Sequence, residues 1–355
     1  MHVTSLLVAA LVALRPVTAA PASQCTNTIV RKEWRTLSQQ ERLDYINAVK
    51  CIQSSPSRVN GYWAGAKSRY DDYQGIHIAQ TDYIHFCGKF LPWHRNFIAL
   101  FEKDLRETCS YKGGLPYWDW TLDATSVDGL ANSPIWDETY GFGGNGEYIE
   151  DISGFPDSWI LQGVTIPGRT GGGCISTGPF ASRNVSMGEG NSTAYTPHCL
   201  HRDFSGELFA LTANSTVVQW AMESESHWWL DRNIEGYALA IDGMRVHAGG
   251  HLSVGGQVGE MTNTYSSPGD PVFFLHHSNI DRLWASWQLN DWNTRKTDIG
   301  GPDTEWAYPF NYFGDIPYEN VTLSTPLSYS PLSSDIEISK TMDFTTYCYT
   351  YDEFY

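Results

Sequence analysis

Asp270-Pro271-Val272-Phe273-Phe274-Leu275-His276-His277-Ser278-Asn279-Ile280-Asp281-Arg282-Leu283-Trp284 is the stretch from which the fold of this 355-residue chain is read. From Phe273 onward its apolar residues recur at helical spacing with no glycine or proline, and a helix is predicted over residues 271–289. Phe273 stands one turn before His277 and Asp281 one turn after it, so His277, rather than its neighbour His276, is taken as a metal ligand. His276 is then a neighbour that supports the ligand set.

Working outward, Arg245-Val246-His247-Ala248-Gly249-Gly250-His251 places two histidines four apart. On a helix both rings leave the same face and form a two-tooth chelate, which His277 completes. The upstream half repeats the plan with His77, His85 and His94. There Phe90-Leu91-Pro92-Trp93-His94-Arg95 opens a helical pattern running through Phe97, Leu100, Phe101 and Leu105, with Pro92 tolerated in the first turn. Phe90 precedes His94 by four residues just as Phe273 precedes His277. Each phenylalanine is placed to roof a dry cavity beside its ligand, or to serve as an ordinary core residue. Two sets of three imidazoles suit copper, zinc, iron or nickel and not magnesium or calcium, which take oxygen ligands. No His-Glu-x-x-His occurs, and no acid lies between His247 and His251 to act as a hydrolytic base.

With these pieces assembled, the chain resembles the type-3 copper proteins, the superfamily of tyrosinases, catechol oxidases and hemocyanins. The resemblance rests on His85 and His94, Leu115-Pro116-Tyr117-Trp118-Asp119-Trp120, the His247/His251 pair leading into Val254-Gly255-Gly256, and the 270–284 run. Arg31-Lys32-Glu33-Trp34-Arg35 and Gly178-Pro179-Phe180 resemble most the short secreted tyrosinase-like proteins of filamentous fungi. The resemblance implies a mainly α domain: a four-helix bundle around a dicopper centre, long covering loops and little β. It implies two copper ions, dioxygen as co-substrate and a small phenolic substrate, with ortho-diphenols oxidised to ortho-quinones. In that family an asparagine after the first histidine of the second site, paired with a glutamate that holds water, is associated with monophenol deprotonation. Here the position is Ala248, which has no polar atom, so diphenol oxidation is favoured, with Glu235 and Asp242 as upstream acids able to compensate. A monophenol-hydroxylating tyrosinase and a tailoring oxidase of secondary metabolism are the alternatives. Met261 is a candidate gate over the second copper, or a loop-packing residue.

The same resemblance associates a thioether with a cysteine two before the second histidine. Here Tyr83 occupies that place and Cys87 lies two after His85, which favours a plain buried thiol. The seven cysteines allow three disulfides, and the working pairing is Cys51–Cys109, Cys174–Cys199 and Cys25–Cys348 with Cys87 free. The Tyr347-Cys348-Tyr349 ending resembles the tyrosine motif that closes the family's catalytic domain near Arg31 or Arg35. The stretch after Trp284 is too short for the shielding domain of latent members, so residues 23–355 are expected to be one catalytic domain.

Other features set the context. Residues 1–22 read as a signal peptide cleaved between 19 and 22, which predicts a secreted protein with no membrane attachment after cleavage. Asn184, Asn191, Asn214 and Asn320 open Asn-x-Ser/Thr acceptors for glycosylation. A net charge of -17 argues against nucleic acid or an anionic membrane as partner, and no obligate protein partner is evident. Helices are predicted over 38–53, 92–108, 233–253 and 271–289, the four that would surround the metals. Residues 141–190 read as long loops, with Gly171-Gly172-Gly173 mobile. His198, His201 and His227 are taken as structural, as are Asp119, Asp281 and Arg282 in an orienting network around the ligand helices.

Overall fold

Four helices carry the histidines, but they are not the four marked by apolar periodicity. The computed structural model describes residues 25–355 apart from 189, 238–239, 306, 308–310 and 312–314. The signal-peptide segment lies outside the described residues. The principal helices are α1 (Gln39–Ser54), α2 (Arg69–Ile84), α3 (Phe90–Cys109), α4 (Gly206–Thr212), α5 (Ser215–Met222), α6 (His227–Glu235), α7 (Val246–Gly255) and α8 (Val272–Asn290). The site is built on α2, α3, α7 and α8, whereas α1 packs outside against α2 and α3.

Helix α2 is hidden from pattern reading because it is buried on nearly every side, with Asp71, Asp72 and Gln74 interred among its apolar residues. Its start is nonetheless encoded: Ser68 and Asp71 form a reciprocal capping box that satisfies two orphan backbone donors. The helix predicted over 233–253 is two helices. Gly236 closes α6 at φ 118°, a conformation that glycine adopts without a Cβ clash, and the chain turns before α7 begins at Val246.

Aromatic packing locks α2, α3 and α8 together. Phe101 stacks on Phe274 with centroids 3.5 Å apart and planes 8° from parallel, while Tyr70 and Tyr73 meet the same rings edge-on. Outside this core the chain forms short two-stranded pairs, including a parallel pair of Ile29–Arg31 with Tyr349–Tyr351 that brings the two ends of the described chain together. The three expected disulfides are present, and Cys87 is free and buried. The predicted mobility of Gly171–Gly173 is not observed. All three glycines are buried, Gly171 N–H donates to Asp203 Oδ1 at 3.1 Å, and Gly172–Ile175 pairs with Gly146–Tyr148.

Candidate metal centre

The first set of imidazoles comes from α2 and α3. His77 lies within α2, His85 is the residue on which α2 ends in extended geometry, and His94 sits in the first turns of α3. Each Nδ1–H donates to a backbone carbonyl: His77 to Tyr265 at 2.7 Å, His85 to Thr81 at 3.0 Å and His94 to Phe90 at 2.9 Å. Those bonds fix the tautomer and leave each Nε2 with a lone pair directed inward. Nε2 of His77 and of His94 is buried without a hydrogen-bond partner.

The second set comes from α7 and α8. His251 Nδ1–H donates to the Met261 carbonyl at 2.9 Å, and its Nε2 faces His277 Nε2 at 3.1 Å. Two nitrogens at that separation could hold one metal ion between them, since metal–imidazole bonds are about 2.0–2.1 Å long. His247 completes the set with both nitrogens buried and unpartnered. The two sets face each other: His94 stacks on His277 at 4.4 Å and His85 on His247 at 5.8 Å. Phe90 lies 4.8 Å from His94 and 4.5 Å from His247, and Phe273 lies 4.1 Å from His277 and 5.3 Å from His77. Each phenylalanine therefore touches rings of both sets and shields the space between them from water.

Burial holds all six rings below the ordinary histidine range, His85 to about 4, His251 to about 3 and the others well below. They are neutral at pH 7, as ligation requires. A donor set of neutral nitrogen with orphaned inward lone pairs fits copper.

His276 is held differently. The Trp120 indole N–H, which can only donate, binds His276 Nδ1 at 3.0 Å, so the proton resides on Nε2 and neither nitrogen offers a lone pair to an ion. Gly250 makes room for this ring, because a Cβ there would lie 2.2 Å from His276 Cε1. Asp281, one turn beyond His277, accepts from Arg95 at 2.5 Å, Arg31 at 3.1 Å, Tyr349 at 2.5 Å and Tyr351 at 2.6 Å. It ties α8 to α3 beside His94 and to both ends of the described chain. Arg31 lies over the Tyr349 ring at 3.5 Å and donates to Tyr351 Oη at 3.1 Å, so the tyrosines beside Arg31 are Tyr349 and Tyr351 and not the expected Tyr347 and Tyr349; Tyr347 reaches Asn96 instead.

A cleft of about 100 Å³ opens on the second set, lined by His85, Phe86, His247, Ala248, His251 and Met261. Glu235 Oε1 lies 3.8 Å from His247 Nδ1, while Oε2 accepts from Arg232 at 2.8 Å. Burial raises Glu235 well above the usual carboxylate range. Cys87 Sγ donates to the Tyr83 carbonyl at 3.3 Å, and burial pushes its thiol up. His198 and His201 lie elsewhere, paired with Glu260 at 3.1 Å and with the Gly172 carbonyl at 2.9 Å. Cys174 and Cys199, beside His201, are joined as a disulfide and offer no thiolates.

His227 yields a pH prediction. It is fully buried, and burial lowers it to about 3, against about 6.5 in an unfolded chain. Between those values the unfolded state binds a proton that the folded state does not, so stability is retained above pH 6.5 and lost as pH falls through the window. At pH 5 this amounts to about 2 kcal/mol. The drop in urea midpoint between pH 7.5 and pH 5 should be smaller in His227→Phe than in the parent. Parallel losses would contradict the assignment.

Sequence reading did not anticipate the carbonyls of Tyr265, Thr81 and Met261 that orient the rings, since backbone acceptors leave no residue signature. Trp120 belongs to the 115–120 run that carries the resemblance, but its effect on the His276 tautomer needed the fold.

Two facing sets of three neutral imidazoles in a helical bundle define a binuclear metal protein. The common central domain of tyrosinase matches residues 67–290, and the chain belongs to the tyrosinase family. It is 35% identical over 350 residues to Tyrosinase P of Aspergillus terreus, covering 93% of this chain and 94% of that one. It is 36% identical over 385 residues to an N-acetyl-6-hydroxytryptophan oxidase of Emericella nidulans, covering 99% of this chain and 100% of the relative. A polyphenol oxidase structure from Thermothelomyces thermophila superposes with a TM-score of 0.78 at 33% identity, covering 92% of this chain and 89% of that one. An octopus hemocyanin unit shares the fold, with a TM-score of 0.53 at 18% identity over 92% of this chain and 68% of its own. The protein is thus a copper-dependent oxidase of the binuclear class.

Proposed function

We propose that the chain is a secreted dicopper oxidase that converts ortho-diphenols to ortho-quinones at the expense of dioxygen. His77, His85 and His94 hold one copper, and His247, His251 and His277 the other. The bound pair supplies two-electron redox chemistry with dioxygen, two diphenols yielding two quinones and two waters. The protein's part is to keep six imidazoles neutral and oriented through backbone carbonyls, and to exclude water with Phe90 and Phe273. Asp281 holds α3 and α8 in register. Met261 lines the cleft and, through its carbonyl, orients His251.

The observation that carries the choice of diphenol is Ala248 in the cleft beside His247, a position without a polar atom to hold water or accept a phenolic proton. Glu235 is the only acid of the predicted pair that lies against the ligand set, and Arg232 occupies one of its oxygens. With catechol and its monophenol counterpart supplied to one preparation, quinone should form from catechol at least ~100-fold faster, the scale of a missing general base. Ala248→Asn should narrow that ratio. Equal rates in the parent would overturn the preference.

A second reading, a tailoring oxidase acting on one elaborate phenol, is supported by the match to an oxidase of N-acetyl-6-hydroxytryptophan. Slow turnover of catechol with fast turnover of a substituted phenol would favour it. Three disulfides and the absence, among the described residues, of a helix long and apolar enough to cross a membrane accord with secretion. Asn184, Asn191 and Asn320 are exposed and are the acceptors we assign to glycosylation. Asn214 caps α5 and its Nδ2 donates to Ala210 at 2.8 Å, so it is the acceptor of lowest expected occupancy.

A further inference from the structure

A second cavity, about 750 Å³ in volume, lies beside the cleft, between the end of α4, α5 and the segment leading into α7. Leu211, Trp220, Ile241 and Met244 give it an apolar wall, and Arg245 stands at its rim. The two cavities share a wall. Ile241 and Met244 pack in one apolar cluster with Leu161, Ala248 and Leu252, which line the cleft over the second imidazole set. Arg245 is the extended N-cap residue of α7, and Ala248 and Leu252 follow it within the helix, so the guanidinium arises three residues before the Ala248 position.

Arg245 differs from the buried arginines that anchor this acidic chain and, like half-buried Arg42, donates to backbone carbonyls. Arg31, Arg69, Arg95, Arg202, Arg232 and Arg282 each face a carboxylate within 3.1 Å. Arg245 forms no ion pair among the described residues. Its Nη1 donates to the carbonyls of Asp242 and Met244, and its Nε is shielded with no acceptor. The guanidinium lies 5.7 Å from the Trp220 ring and 5.2 Å from the Tyr237 ring, both of them exposed. The nearest acid on the rim is Asp242, whose exposed side chain lines the same cavity. A half-desolvated cation with unused donors, flanked by two open aromatic faces, is complementary to a carboxylate carried on an apolar or aromatic arm.

We propose that Arg245, with Trp220 and Tyr237, forms a distal subsite that binds the anionic tail of the phenolic substrate while its ring occupies the cleft at Ala248. The proposal rests on the diphenol reading above and narrows it to substrates bearing a carboxylate on a side chain long enough to reach from Ala248 to the N-cap of α7. Trp220 and Tyr237 supply stacking area for the arm, and Arg245 supplies a charge-assisted contact.

Two measurements test it. In the first, ω-phenylalkanoates with two, five and eight methylenes, and the matching neutral alcohols, are titrated calorimetrically into the protein. This needs no turnover. Binding of acid over alcohol should reach about tenfold at the longer lengths, the scale of one charge-assisted hydrogen bond, and should vanish in Arg245→Gln. Arg245→Lys should recover part of it, and Asp242→Asn should increase it. In the second, the 3,4-dihydroxy derivatives are assayed, and the ratio of kcat/KM for acid over alcohol should fall in Arg245→Gln through KM. Loss of the turn that Arg245 holds at the start of α7 would depress acid and alcohol alike and leave the ratio unchanged. No acid preference at any length, or a preference that survives Arg245→Gln, overturns the subsite. Failure of the parent to oxidise any diphenol, with acid preference intact in calorimetry, overturns the reaction assignment and leaves the subsite standing.

Discussion

His277→Ala is expected to empty one copper position and abolish quinone formation, whereas His276→Ala should retain close to two coppers per chain. The difference lies in the lone pairs. Both rings belong to one cluster of buried imidazoles with His247 and His251, but His277 Nε2 faces His251 Nε2 at 3.1 Å, whereas the Trp120 indole occupies His276 Nδ1 and sends the proton to Nε2. Removing His276 leaves an unpaired indole N–H and a void beside Gly250, a stability loss of about 1–3 kcal/mol and not a lost ligand. His94→Ala should behave as His277→Ala does, at the other copper. Metal analysis and catechol oxidation on the same preparations decide the matter. Full copper in His277→Ala with depleted copper in His276→Ala would reverse the assignment.

The second large effect is on stability. Asp281→Asn should destabilise the protein by about 3–5 kcal/mol, because it strips a buried carboxylate from two buried arginines. Burial by itself would raise the Asp281 carboxyl, but Arg95 and Arg31 outweigh it and hold the group below its ordinary value. Arg31 keeps Glu102 at 2.9 Å, so the heavier loss falls on Arg95, whose remaining partners are Gln288 and the carbonyls of Thr341 and Met342. The exposed pair Lys103–Glu107, at 3.9 Å, offers the contrast: Glu107→Gln should cost less than about 0.5 kcal/mol. Urea denaturation of both variants checks the difference. An Asp281→Asn cost near that of the exposed pair would contradict the hub.

Histidine spacing made the site legible, since a four-residue step fixes two rings on one helical face whatever surrounds them, and each third ligand followed a phenylalanine by one turn. Helix α2 was not legible by periodicity. Its polar residues are buried and paired, Arg69 with Asp104 and Asp72, so no apolar stripe separates from a polar one. Only the Ser68–Asp71 capping box marked its start. The break between α6 and α7 had a signal in Gly236, but a lone glycine in a helical pattern is ambiguous until its φ is known. No sequence signal marked Arg245, because an ion-pair partner, or the lack of one among the described residues, belongs to tertiary structure. The hub at Asp281 was foreseen as a network around the ligand helices, while its closure through Tyr349, Tyr351 and Arg31 depends on the pairing of two distant strands.

Copper per chain in the purified protein tests the central claim most directly. Two facing sets of three neutral imidazoles predict two copper ions per chain, with zinc and iron at trace level. One copper or none, or stoichiometric zinc, would contradict the account of a binuclear copper centre.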